Sequence, residues 1–224
     1  MDQVLNFMSD PNSDFGGHTT TYLSLCAVPI ALSIMIGVLL GITVARRPTA
    51  AFVAGNVSGL ARAIPTLAFL AAVLPYLGIG FTPAVVALTA LGIPPVLLNT
   101  VAGLRGIDPA VIDSARGMGM TPRQILTRVE IPLVLPVVAA GIRTSAVQIV
   151  ATAPLAALIG AGGYGDYILA GVNLLQQVPL LVGAGSVALL ALAVEIALAS
   201  VERAVTPAGL RIRTTEPGTR SVAT

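Results

Sequence analysis

Lysine is missing from this 224-residue chain, and so is tryptophan; cysteine and histidine occur once each, at Cys26 and His18. All twelve basic residues are therefore arginine. Without lysine there is no G-x-x-x-x-G-K-[ST] loop, so ATP hydrolysis by that route belongs to another polypeptide. One cysteine in an apolar run excludes a disulfide framework and a thiolate metal cluster. His18 lies in a polar N-terminal stretch, where a solvated tail residue is expected. Charge is scarce too: 10% of residues are charged and 55% hydrophobic, with a mean hydropathy of +0.91. Soluble domains carry about 25% charged residues. So few polar groups cannot cover a soluble core, which points to an all-α integral membrane protein.

Five apolar runs are present, at about 20–45, 50–75, 83–104, 132–159 and 178–201, and each is long enough to span a hydrocarbon core of about 30 Å. The second contains Arg62 and Pro65, so a kink is expected there. The first is not a cleavable signal peptide, because the residues before it are acidic and Arg46 and Arg47 come after it. With five spans and an outer N-terminus, Arg46, Arg47, Arg105, Arg116, Arg123, Arg128, Arg203, Arg211, Arg213 and Arg220 all face the cytosol. The outer segments then carry only Asp2, Asp10, Asp14 and Asp166, which is the positive-inside bias. The expected organisation is an extracytoplasmic tail over 1–18, a transmembrane domain over 19–206, and a polar, disordered cytosolic tail over 207–224.

Residues 108–131 form a polar insert between the third and fourth runs. Asp108-Pro109 is a helix start, a capping carboxylate followed by proline at the first helical position. Val111, Ile112, Ala115 and Met118 follow at helical spacing, and Gly117 and Gly119 break that helix. Thr121-Pro122 starts a second helix, with Ile125, Leu126 and Val129 on one face and Arg123, Gln124 and Arg128 on the other. Two capped helices exceed what a connection requires. One reading is a docking element presenting Ala115, Met118 and Met120 to another protein. The other is a surface helix lying on lipid headgroups.

The insert resembles the EAA signature of ABC importer permeases: Glu-Ala-Ala, three residues, Gly, nine residues, then Ile-x-Leu-Pro. Asp113-Ser114-Ala115 stand at the first three positions, Gly119 at the glycine, and Val129 with Ile131-Pro132 at the end. Asp113 and Ser114 depart from the pattern but keep a carboxylate and a small side chain. The longer run ARGMGMTPRQILTRVEIPLVLPVVAAGIRTSAVQIVATAPLAALIGAGGYGDYI, preceded by IPTLAFLAAVLPYLGIGFTPA, is similar to permeases of osmoprotectant importers over about 20–205. The resemblance implies a type I ABC importer permease fold with five core helices in a bacterial cell membrane. It also implies a second permease subunit, an extracytoplasmic solute-binding protein, and cytosolic ATPases that bind ATP and Mg2+. The cargo would be glycine betaine, choline or carnitine, and nucleic acid has no place in such a system. Asp113, Ser114, Ala115, Gly117, Met118, Gly119 and Met120 would form the ATPase-coupling loop, with the two glycines turning the chain. A permease for another small solute, a secondary transporter and a membrane scaffold are the other readings; no internal repeat supports the second.

Arg62, Arg143 and Glu195 fall within or near spans, where charge is costly and defaults to a functional expectation. Glu195 is placed to pair with Arg203, Arg62 or Arg143. Structural pairing around a cytosolic cavity is the plainer reading, and pathway or gate residues the sharper one. Tyr76, Tyr164 and Tyr167 fall near the outer face. They are too few for an aromatic cage around a quaternary ammonium, which fits a conduit that holds its solute weakly. GAGGYG (160–165) fits G-x-G-x-x-G but follows a span, so a close-packed outer turn or external gate is expected instead of a dinucleotide site. Gly37-x-x-x-Gly41 matches a helix-packing motif, a match expected by chance among 23 glycines.

Overall fold

The computed structural model describes residues 2–206, and every regular element among them is helical. The tail expected to be disordered, 207–224, lies outside the described residues. A short helix α1 (Asp2–Ser9) leads through a 3-10 turn, Pro11–Ser13, into α2 (Phe15–Ala45). α3 (Pro48–Ala63), α4 (Thr66–Leu77) and α5 (Phe81–Arg105) follow. The insert holds α6 (Pro109–Gly117) and α7 (Pro122–Ile125). A π turn, Leu126–Glu130, then runs into α8 (Ile131–Thr152), and a 3-10 turn, Ala153–Ile159, precedes α9 (Tyr164–Asn173) and α10 (Gln177–Val205).

The stretch expected as an N-terminal tail over 1–18 contains regular structure from Asp2 onward. α1 packs on α10, and Asp14 caps α2 by accepting from the Gly17 amide at 3.2 Å. His18 consequently sits in the first turn of a membrane-length helix.

Among the described residues, four helical stretches are long and apolar enough to cross a membrane: Phe15–Ala45, Phe81–Arg105, Pro122–Ile159 and Gln177–Val205. The run expected as span two is broken, not merely kinked. Pro65 has no amide proton and drives Ile64 out of the helical region, so α3 ends and α4 begins across that pair. α3 has 16 residues and α4 has 12. At 1.5 Å per residue they reach only about 24 and 18 Å, short of the roughly 30 Å core.

Packing nevertheless shows that the pair makes one return journey. A Cβ built on Gly37 would lie 2.7 Å from Val96 Cβ, and one on Gly41 would lie 2.5 Å from Thr100 Cβ. The register therefore advances together, and α2 and α5 run parallel. Parallel neighbours require the chain between them to come back. α3 starts beside the far end, where Ala51 packs with Leu97 and Val101. α4 finishes at the near end, where Leu70 joins the cluster of Tyr22, Leu88 and Val150 and the Gly80 amide bonds Ile159 O at 2.7 Å. The chain thus traverses the bundle five times, the second time in two pieces.

α5 is the central helix. On one side it meets α2 through Gly37 and Gly41, so that glycine pair is a true packing motif and not a chance match. On the other side it meets α8, running antiparallel, where Gly92 faces Ser145 and Ile149 and Gly141 faces Asn99 and Pro95. Ser145 donates to Gly92 O at 2.8 Å and lies 3.3 Å from Ser33 of α2, tying three helices with small hydroxyls.

Prolines inside the spans leave carbonyls that need new donors. Pro154 cannot donate to the carbonyl four residues back, that of Val150. The fully buried Tyr22 supplies the missing hydrogen, its hydroxyl donating to Val150 O at 2.6 Å. The same logic loosens the start of α8. Pro132 leaves the Arg128 carbonyl without its usual partner, and the Ile131 amide reaches back to Leu126 O, which makes the π turn.

Two outcomes test this packing in detergent micelles by thermal unfolding. Gly41→Val overpacks the α2–α5 contact and should destabilise by about 1–3 kcal/mol. Tyr22→Phe strands one buried carbonyl and should destabilise by about 1 kcal/mol, with little change in shape.

Candidate functional site

The polar insert is built by its caps. Asp108 accepts from the Ala110 amide at 2.9 Å, and Pro109 occupies the first helical turn of α6. Thr121 and Gln124 form a reciprocal capping box that starts α7: the Gln124 side chain accepts from the Thr121 amide at 2.8 Å, and Thr121 Oγ1 accepts from the Gln124 amide at 3.4 Å. Between the caps only Gly119 has a left-handed backbone, with φ of 78°. Gly117 is the last residue of α6, with ordinary helical geometry, so the sharp turn belongs to Gly119 alone. A side chain at Gly119 would meet no neighbour; backbone conformation is what asks for glycine there.

The insert differs from expectation in two respects. α7 is not a second free-standing short helix, because the π turn carries it straight into α8. Ala115 is not presented outward but is 2% exposed. Met118 is the outward residue at 75% exposed, with Val111 and Ser114 on the open side and Met120 half-buried. Asp113 and Arg116 pair along the helix at 3.4 Å. With Ile112 they border a groove of about 820 Å3 whose far walls are Ile42, Leu104 and Val134. The insert therefore folds against the ends of α2, α5 and α8.

Arg46, Arg105, Arg116, Arg123 and Arg128 sit at this end of the bundle, on the last turns of α2 and α5 and on the insert. Asp14, His18 and Asp166 sit at the other, where α2 starts and α9 lies.

Of the charges within spans, Arg143 and Glu195 come together. Arg143 projects from α8 toward α10, with Nε 3.5 Å from Glu195 and an Nη 3.1 Å from Glu202. The second carboxylate was not singled out in the sequence, although it lies seven residues, two helical turns, beyond the first. The Glu202 oxygen is off the donor axis and makes no hydrogen bond despite its closeness. All three side chains are partly exposed, so the pairing is screened and modest. Glu195 pairs with Arg143, and Arg203 has an interaction of its own. Arg62 lies on α3, but its side chain is outside the described residues.

The opposite end is closed by aromatic side chains. Tyr164 is buried, donates to Thr19 Oγ1 at 3.0 Å, stacks with Phe15 and packs at a tilt against Tyr22. Tyr167 donates to Ser13 O at 2.6 Å and packs on Phe7, Phe15 and His18. Burial, then Asp14, Tyr164 and Asp166, pushes the Tyr167 phenol up to about 12, against the opposing Ser13 bond, so it stays a donor at any physiological pH. His18 is not a solvated tail residue: its Nδ1 lies 3.1 Å from Gly163 O and 3.6 Å from Asp166. These contacts clamp the glycine turn, where a Cβ on Gly163 would press on Tyr22 at 3.0 Å. Tyr76 stands apart from this cluster, 87% exposed at the end of α4.

Five helical crossings, charge segregated to the two ends, and a capped insert ahead of the fourth crossing define a membrane permease architecture. Residues 33–207 match the family of binding-protein-dependent transport system inner membrane components, and the chain belongs to that family. The carnitine transport permease protein OpuCB of Listeria monocytogenes is 43% identical over 212 residues, 94% of this chain and 97% of that protein. The choline transport system permease protein OpuBB of Bacillus subtilis (strain 168) is 36% identical, with coverage of 94% and 97%. The glycine betaine/carnitine/choline transport system permease protein OpuCB of the same organism is 37% identical with the same coverage. A chain of the MetNI methionine ABC transporter, in an inward facing conformation, superposes with a TM-score of 0.72 at 21% identity, over 86% of this chain and 96% of that one. The fold is that of a type I ABC importer permease.

The pair geometry sets an energetic order. In double-mutant cycles read by unfolding, Arg143→Gln with Glu202→Gln should show a coupling of about 1 kcal/mol, and Arg143→Gln with Glu195→Gln about half that, following distance and exposure.

Proposed function

We propose that this chain is the permease subunit of an ABC importer that moves osmoprotectants such as glycine betaine, choline or carnitine into the cell. The observation that carries the reading is the capped, Met118-edged insert folded under the arginine-rich end of the bundle, in a chain so similar to permeases of those solutes. The arginine-rich end faces the cytosol and the Asp14–Asp166 end faces outward, with the N-terminus outside and the C-terminus inside.

Cytosolic ATPase subunits bind ATP and Mg2+ and grip the insert from Asp113 to Met120. A second permease subunit, identical or a paralogue, completes the pathway across the bilayer. An extracytoplasmic binding protein delivers the solute to the outer face near Tyr76 and the Tyr164 cluster. Arg143 and Glu195 stand toward the cytosolic half of the path, with Arg62 on the broken second crossing. ATP closes the ATPase dimer and draws the paired inserts together. The chemical energy acts through contacts that differ between two conformations of the permease.

Gly119→Val tests the coupling role. A β-branched residue at φ of 78° is strained by about 1–2 kcal/mol, and roughly 1.4 kcal/mol is a tenfold change. Solute uptake by the reconstituted importer should fall about tenfold or more, while capture by the binding protein is unchanged. Uptake at the unsubstituted rate would remove the insert from the mechanism.

A further inference from the structure

Arg143 makes two ion-pair contacts with one neighbouring helix. It stands on α8 between two carboxylates of α10 that are about 10 Å apart along the helix axis. Its guanidinium touches both, one through Nε and the other through an Nη. A single cation shared this way has no unique optimum. An axial shift of α8 toward Glu202 strengthens that contact and weakens the one with Glu195; the reverse shift does the opposite. The contact with Glu202 is close but makes no hydrogen bond, so it does not lock the guanidinium in place.

The helix that bears Arg143 is also the helix that bears the insert. From Pro122 the chain is helical without interruption through the π turn to Thr152. Arg143 lies roughly 30 Å along that rod. The Thr121–Gln124 box caps its lower end within the insert, and Gly141 seats it against Asn99 and Pro95 of α5 two residues before Arg143. A displacement of the insert carried along this rod would reach α10 across the α8–α10 contact, in which Arg143 makes its ion pairs. Among the described residues, no other ion pair joins α8 to α10.

We propose that Arg143 is a positioning residue, a toggle that hands the movement of the insert to α10 by exchanging weight between Glu195 and Glu202. The proposal rests on the reading of the insert as the part gripped by an ATPase. It concerns how motion spreads within the permease, not whether ATP drives it. A toggle between two states responds to the loss of either partner by shifting the same equilibrium in opposite directions.

The test uses the complete importer reconstituted in liposomes, with ATP hydrolysis and uptake of radiolabelled glycine betaine, choline and carnitine measured together. Glu195→Gln and Glu202→Gln should move the apparent KM for ATP in opposite directions, each by roughly threefold or more. Arg143→Gln should raise the ATP hydrolysed per solute moved by about tenfold, and Arg143→Lys, which keeps a cation between the two carboxylates, should retain at least half of the coupling. Shifts of both single variants in the same direction, or none, would overturn the toggle. So would a loss of hydrolysis and uptake in strict proportion, with lowered thermal stability, since that is what a merely structural ion pair does. If the unsubstituted importer takes up solute without hydrolysing ATP, the failure lies with the proposed function instead.

Discussion

Close approach of α5 to α2 and α8 is the constraint on which the rest of this bundle depends. In a membrane, apolar side chains gain little by leaving lipid for one another, so helices associate by van der Waals contact and by small residues that let backbones meet. Gly37 and Gly41 present a bare backbone to Val96 and Thr100, while Gly92 and Gly141 do the same across the α5–α8 contact. Once these three helices are seated, α2 and α5 are forced to run parallel, and the segment between them must return. The break at Pro65 is tolerated because each half of that return packs on the central helix at a different depth.

The two ends of the bundle are built by different physics. At the end where α2 starts, tyrosines and His18 satisfy backbone oxygens of loops and of the proline-interrupted α8. Tyr22, Tyr164 and Tyr167 are therefore braces whose hydroxyls all have work inside the protein. At the arginine end the polar groups are helix caps and surface pairs. They fix a local fold and leave Met118 outward. One end is held by buried hydrogen bonds to main chain, the other by local capping, and a part that must meet partners and move is expected at the second.

Much of this was legible from residue order. Asp108-Pro109 and Thr121-Pro122 announced the two helix starts of the insert, because capping is a local interaction among residues within four positions of one another. Gly119 announced a turn for the same reason. The aromatic brace was not legible: Ser13, Tyr22, Val150 and Tyr167 are far apart in the chain, and the freed carbonyl of Val150 becomes a demand only when Pro154 is seen to sit one turn beyond it. Glu202 also escaped notice, since a carboxylate near a helix end gives no local sign that an arginine from another helix will reach it.

By itself, the sequence determined that the chain lives in a bilayer, that its charges segregate, and where the two helices of the insert begin. Those properties follow from composition and from interactions spanning a few residues. Tertiary structure alone decided which glycines are packing surfaces, that the second crossing is made in two pieces, that Ala115 turns inward while Met118 turns outward, and that Arg143 is divided between two carboxylates. Each of these depends on a partner surface brought from a distant part of the chain. Periodicity within one segment carries no information about what will be laid against it.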